Sequence, residues 1–412
     1  MTKHHLPATP DTVHWGYFSK TLAPVLTLKS GDRAVIESIT HHANDDYARM
    51  IEGDRAAEEI FLWTKDQKTL RRRGAGATDG PFTYGAGEGL GVHLLTGPVA
   101  IEGAEPGDII EVRVIDTWPR PSANPTYAGR FFGSNPAANW GFQYKDLIEG
   151  PAPREVVTIY ELDMGEASVK ALYSYLWTPQ TDPDGITHPT IDYPGVRVDH
   201  TTIVKKEGIL AGIRVPARLH FGTMGLAPAE ADFVSTIPPN YTGGNMDDWR
   251  IAKGARMYYP VAVPGGLFSC GDAHASQGDS ELSGTAIEIS LTGEFEFILH
   301  KKEELDGTIL EGLTHPLLEN DDVWSVYGFS VANYLSELGP DHQSEILKRG
   351  SLDSAMRDAF RKLRRFLMTT QNLSEDEAIS LMSVAADFAV TQVVDANWGV
   401  TGSIRKSLFP AR

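Results

Sequence analysis

Glycine and proline punctuate this chain too often for a bundle of long helices. Of 412 residues, 40 are Gly and 25 are Pro; both weaken helix interiors, and both supply the backbone angles of tight turns. Between these breaks lie short runs with a two-residue period. In IIEVRVID, residues 109–116, Ile110, Val112, Val114 and Asp116 fall on one face, just after a Pro106-Gly107 turn. That period belongs to strands. Further strands are expected at 91–119, 156–162, 202–220 and 258–299, and a hairpin at 20–40 around Ser30-Gly31-Asp32. The sequence therefore predicts a strand-and-loop protein, mainly β.

The pattern changes after about residue 330. In SLDSAMRDAFRKLRRFLMTT, Leu352, Ala355, Met356, Ala359, Leu363, Phe366 and Leu367 keep the i, i+3, i+4 spacing of an amphipathic helix. Arg361, Lys362, Arg364 and Arg365 fall mostly on its other side, expected to be a solvated face. Ser374 and Glu377 have capping-box spacing and start a second helix, EDEAISLMSVAADFAV. Three regions follow from this reading. A β-rich part with loop insertions spans 1–240, a β-rich part carrying the main polar motif spans 241–330 on the same core, and a helical segment spans 331–412. The segments 98–108 and 260–272 share a pattern of short strand, Gly turn and Gly-Asp pair, a hint of duplication that shared turn chemistry would equally explain. The basic, Gly-rich stretch 65–90 reads as a surface loop or as a lid, and His4 and His5 as disordered.

The formal charge of −18 argues against nucleic acid or an anionic membrane surface as partner, since both would be repelled. No run of about 18 apolar residues is present, so no membrane-spanning helix is expected. The single cysteine, Cys270, permits neither an internal disulfide nor a cysteine-based zinc site. Low cysteine use and the absence of an apolar h-region in MTKHHLPATPDTVHWGYF point to a cytoplasmic protein.

Ionisable residues concentrate in GDAHASQGDSE, residues 271–281. Asp272 and His274 are two apart, so in an extended segment they point to one side, a half-site for zinc or a similar divalent ion. Asp279 and Glu281 repeat that spacing, and Gly278 could turn the chain so that the second pair returns towards the first. Glu288 lies on the next strand. Such a pattern fits metal ligation or general acid–base work; a polar turn capped by its own Asp side chains is the structural alternative. His41 and His42, followed by Asn44, Asp45 and Asp46, could add ligands or form a solvated loop. His93 alone would be a core histidine. Cys270 could be a nucleophile with His274 and Glu281 as helpers, or a small buried residue at a strand end, which is the favoured reading. No G-x-S-x-G elbow, P-loop or dinucleotide-binding glycine motif occurs.

The segments HLLTGPVAIEGAEPGDIIEVRVID, GTMGLAP (222–228), GGNMDDW (243–249), YYPVAVPGGLFSCGDAHASQGDSELSGTAIE and VTQVVDANWGVTGSIRKSLF together resemble the acetamidase/formamidase family, in order and spacing, from about residue 10 onwards. The resemblance implies a jelly-roll-like β-sandwich core with α/β additions, a soluble homo-oligomer, and hydrolysis of a short aliphatic amide to a carboxylate and ammonia. The family's GD-x-H-A-x-Q-G-D-G-E motif falls on Gly271, Asp272, His274, Gln277, Gly278, Asp279 and Glu281, with Ser280 in place of the second Gly. Its GGN-x-D falls on Gly243, Gly244, Asn245 and Asp247, and its His before T-G-P on His93. The expectation is that His93, Asp272 and His274 hold a divalent metal such as zinc, that Glu281, Glu288 and Asp279 supply the acid–base groups, and that Asn245, Gln277 and Asp247 bind the amide. The aromatic-rich loop 118–144 leaves room for something larger than acetamide. Two alternatives are a non-catalytic jelly-roll module for a small ligand or carbohydrate, and a metal-independent thiol amidase using Cys270.

Overall fold

The computed structural model describes residues 2–62, 91–144, 147–149, 154–182, 185, 187–191 and 196–410; the basic stretch 65–90 lies outside them. Two large sheets carry the chain. Among the described residues, a nine-stranded sheet runs in the order Lys3–Leu6, Arg33–Glu37, Leu291–His300, Ile109–Pro119, Arg256–Pro260, Leu317–Glu319, Val323–Phe329, Gly399–Arg405, Ala386–Gln392. It draws strands from all three regions of the sequence. A second sheet, of twelve strands among the described residues, is built around Phe268–His274, which pairs with Leu94–Ile101, His220–Gly225 and Glu288–Ile289.

Apolar alternation explains why the sheets face each other. Ile110, Val112 and Val114 turn inward from one sheet, and Phe221, Met224, Phe268 and Cys270 from the other, into one continuous core. Phe268 meets Phe297 with ring centroids 5.1 Å apart, and Phe221 meets Phe295 at 5.3 Å, both nearly edge to face. Each such buried ring contributes roughly 1.5–3 kcal/mol by leaving water. The alternation ends at Asp116, where the ladder with Leu291–His300 shifts register and Asp116 swings out to Lys253 at 3.1 Å. Thus the sandwich that the resemblance implies is present.

The similar segments 98–108 and 260–272 lie side by side. Ile101 N–H donates to Gly265 O and Gly265 N–H to Ala104 O, while Gly107 N–H donates to Val261 O and Val261 N–H to Asp108 O. Each segment carries the chain from one sheet to the other, so the two crossovers brace each other.

Several local expectations are corrected. Residues 20–40 do not form a hairpin: Leu26–Leu28 pairs in parallel with Leu94–Ile101, whereas Arg33–Glu37 joins the other sheet. The Ser-Gly-Asp turn therefore links sheets rather than neighbouring strands. Residues 202–220 are mostly turn, with only Lys206–Glu207 and Val215–Pro216 paired before His220. His4 and His5 are ordered in an edge strand, beside Asp32 and Glu37. The helix Leu352–Gln371 starts at an Ser351 cap, and Ser374 and Glu377 form the expected capping box. The second helix stops at Ala385, because ADFAV enters the sheet as Ala386–Gln392. Lys362 is not on a solvated face; its ammonium donates to Tyr327 O, pairs with Asp358 at 2.6 Å and lies over the Phe329 ring.

These helices cover the outer face of the nine-stranded sheet, where Leu363, Phe366 and Leu367 pack on Leu317, Val326 and Ile404. His315 is buried beneath them. Burial, with Lys362 and Arg365 nearby, lowers its pKa to about 3. An unfolded histidine titrates near 6.5, so between these values the unfolded chain binds the extra proton. Stability should therefore fall as pH drops from about 6.5 towards 3. Denaturant titrations at pH 7 and 4.5 should show a loss that His315→Gln reduces by on the order of 1–4 kcal/mol; an equal loss in both proteins would exclude this origin.

Candidate functional site

The strand Phe268–His274 changes face partway along. Phe268 and Cys270 point into the sandwich core, but so does Ala273. Regular alternation would have put Cys270 beside Asp272 and His274. The switch occurs at Asp272, whose φ of +52° is left-handed. From there Asp272 and His274 leave the core together, as their spacing predicts. Cys270 stays behind it, fully buried, with its thiol pKa raised by desolvation.

Sheet register assembles the rest. His274 lies directly opposite Glu288 on one side and His220 on the other, and His93 directly precedes the neighbouring strand Leu94–Ile101. Asp272 is the hub. Its carboxylate lies 3.6 Å from His93 Nε2, 3.6 Å from His274 Nε2 and 3.8 Å from His41 Nδ1, and accepts a 3.1 Å hydrogen bond from Thr223 Oγ1. Glu288 Oε2 is 3.3 Å from His274 Nε2. The floor needs a missing side chain as well: a Cβ at Gly222 would stand 2.4 Å from Asp247 Oδ1 and 2.8 Å from Asp272 Oδ2.

Three of the acidic residues, Asp247 (φ +46°), Asp272 (+52°) and Glu281 (+48°), have left-handed backbones. Strain of this kind costs on the order of 1–3 kcal/mol per residue and gathers at functional sites. Gly278, expected to make the turn, has no such φ; Ser280 does, at +83°. That is the position where the resembling motif has Gly, and the angle explains why.

The charges are buried at close quarters. Donor atoms of four triads lie within 4.8 Å of one another: His41, His93 and Asp272; Asp247, Asp272 and His274; His274, Glu281 and Glu288; and Asp247, Glu281 and Asp395. Burial and then the neighbouring carboxylates raise Asp247 to about 7 and push Glu281 and Asp395 well above the usual carboxylate range. Burial also opposes the Asp272 charge, but His93 and His274 outweigh it and hold that group well below the usual range. His274 is raised despite burial by Glu288 and Asp272, whereas desolvation lowers His41 and His93.

A mixed set of imidazoles and carboxylates suits zinc or a similar divalent ion. Its fit here rests on underused atoms: among the described residues His41 Nδ1, both Asp247 oxygens and Asp395 Oδ2 are buried without a hydrogen bond, and His274 Nε2 and Glu288 Oε2 meet only as an ion pair at 3.3 Å, a costly state unless something binds them. The tautomer agrees. His220 Nδ1–H donates to Arg218 O at 2.6 Å, which leaves its Nε2 to accept from His274 Nδ1–H at 3.0 Å. His274 Nε2 is thereby directed into the cluster.

The cluster sits in a cavity of about 500 Å³, lined among others by His41, His93, Asn245, Asp247, Asp272, Glu281, Glu288 and Asp395. Most of the expected residues are thus together, but two stand elsewhere. Gln277 is behind His274, its Oε1 accepting from His274 Nδ1–H at 3.2 Å and its amide donating to Asp247 O at 2.6 Å. It is placed to orient histidines, not a ligand. Asp279 is on the protein surface, paired with Arg250 at 3.0 Å and accepting from Trp249 Nε1. Asn245 lines the cavity, with Oδ1 accepting from Thr223 Oγ1 and the amide donating to Ile237 O. Sequence reasoning left His41 open and missed His220 and Asp395. An acid isolated among apolar residues in VVDANW was the available signal for Asp395.

The family model described as the Acetamidase/Formamidase family matches residues 90–410. An acetamidase of Mycolicibacterium smegmatis is 30% identical over 214 residues, which is 46% of this chain and 49% of that protein, so the match spans about half the relative's length. A formamidase of Methylophilus methylotrophus is 26% identical over 81% of this chain and 79% of that protein. The fold resembles those of acetamidase structures from Yersinia enterocolitica (TM-score 0.65, 23% identity, 99% of this chain and 93% of that one) and Bacillus halodurans (TM-score 0.64, 20% identity, 98% of each).

Ser280→Gly should relieve the turn while keeping its backbone bonds to Thr391 and Val393. The expected gain is about 0.5–1 kcal/mol, since relieved strain exceeds the added unfolded-state entropy. A lower melting temperature would contradict this account of the turn.

Proposed function

This chain belongs to the acetamidase/formamidase family, and on that premise we propose that it is a metal-assisted amidohydrolase, cleaving a carboxamide to a carboxylate and ammonia. The observation that carries the metal is the set of buried, underused donor atoms around Asp272. His93, Asp272 and His274 would hold the ion, with His41 as the fourth side chain. Bound there, a divalent ion supplies a Lewis acid and lowers the pKa of water to about 7.

The chain's own groups divide the proton work. Glu288, beside His274 and accepting from Ala286 N–H at 3.0 Å, takes a proton from the attacking water as its oxygen bonds to the carbonyl carbon. Glu281, kept protonated by burial and by Asp247, gives its proton to the nitrogen as the C–N bond breaks. A proton passing from Glu288 to Glu281 restores the site. Burial raises both carboxyls, Glu281 well above the usual range, while His274 draws Glu288 back towards its charged form; that difference suits acid–base division. Asn245, fixed by Thr223 and Ile237, presents its amide edge to the substrate. His220 and Gln277 keep His274 in its tautomer.

The thiol alternative finds no support, because Cys270 faces the core and its thiol is held protonated. Ammonia release from amides should disappear on chelation and return with one added divalent metal. Glu281→Gln and Glu288→Gln should each lower kcat by roughly 100-fold or more with metal content retained. Release that survives complete metal removal would overturn the proposal. Cys270→Ala should keep turnover and lose about 1–2 kcal/mol of stability; loss of turnover in a folded variant would reinstate the thiol.

A further inference from the structure

The cavity is much larger than a short aliphatic amide needs. Acetamide has four heavy atoms and fills roughly 120 Å³, taking about 30 Å³ for each as for a water. The cavity offers about 500 Å³, within the range of roughly 300–1,000 Å³ that suits drug-sized ligands.

Its lining is divided by chemistry and by depth. The histidines and carboxylates are buried, whereas Trp140, Ile237, Val394 and Trp398 are half-buried and line the same cavity. Leu347, 60% exposed, stands at the mouth. An apolar wall therefore separates the polar floor from solvent. The wall is built rather than incidental. A Cβ at Gly284 would stand 2.7 Å from Trp140 Nε1, and one at Gly350 2.6 Å from Trp398 Cε2. Both indoles thus rest on glycines, and Trp398 also meets Phe142 at 5.8 Å, near edge-on. These indoles come from loops more than two hundred residues apart and supply two aromatic surfaces on one cavity. No lysine or arginine reaches into this space among the described lining residues: Lys348, the one present, is at the surface and paired with Glu345 at 3.1 Å.

We propose that the substrate is a neutral primary amide with a large apolar or aromatic acyl group, bound against Trp140 and Trp398 with its carboxamide on the Asp272 floor. This rests on the amidase reading above. The substituent drives water from the wall on binding, and its hold on the acyl group positions the carbonyl for attack. A methyl or hydrogen acyl group leaves most of that wall unused.

The test is ammonia release by metal-replete protein from acetamide, hexanamide and phenylacetamide. The expected result is kcat/KM at least tenfold higher for phenylacetamide and hexanamide than for acetamide. Trp398→Leu, checked for retained melting temperature and metal content, should raise KM for phenylacetamide about tenfold with a smaller change in kcat, and should narrow its advantage over acetamide. Turnover of acetamide equal to or faster than that of both larger amides would overturn this inference and leave the amidase reading standing. An unchanged phenylacetamide-to-acetamide ratio in the variant would also overturn it. No release from any of the three would sink the amidase reading, and the inference with it.

Discussion

One strand serves two environments, and the molecule is arranged around the residue where it changes from one to the other. Up to Cys270 the strand Phe268–His274 belongs to the apolar core; from Asp272 its even-numbered side chains belong to a buried polar cluster. A left-handed residue in a central strand makes the change. Without it Asp272 and His274 would remain on the core side, where an unpaired carboxylate is prohibitively costly. The irregularity thus lets one strand keep the Phe268–Phe297 contact before it and the Asp272–His274 contact after it.

The charges then hold one another. Asp272 remains ionised because imidazoles face it from separate elements: His41 after the strand Arg33–Glu37, His93 before Leu94–Ile101, and His274 from its own strand. A second ring of groups secures the first. Thr223 shares its hydroxyl proton between Asp272 and Asn245, and Gln277 ties His274 to the backbone of Asp247. Little of this depends on the loops at the mouth of the cavity. It depends on register, which the apolar packing of the sandwich fixes, since a slip of one residue would exchange core and site.

The legibility of the sequence followed the range of each interaction. Two-residue spacing marked Asp272 with His274, and the capping box marked the second C-terminal helix, because both are local. The resemblance supplied His93, Asn245 and Asp247. It could not reveal that Gln277 stands behind a histidine or that Asp279 serves Arg250, since both roles depend on partners brought in by the fold. His220 was hidden for the same reason: nothing near it in sequence distinguishes it from a core histidine. The false hairpin at 20–40 failed because turn chemistry specifies a reversal, not the sheet to which each arm belongs. Likewise ADFAV continues a helical pattern locally, and only pairing with Gly399–Arg405 makes it a strand.

The left-handed carboxylates carry a lesson for engineering. At Asp247, Asp272 and Glu281 the backbone would be better served by glycine, so the sequence holds side chains there against its own conformational preference. Selection for heat resistance alone would reward their loss. A library screened only by survival of the fold would be expected to drift towards well-behaved proteins with an empty floor, and a catalytic readout is needed at every round to prevent it.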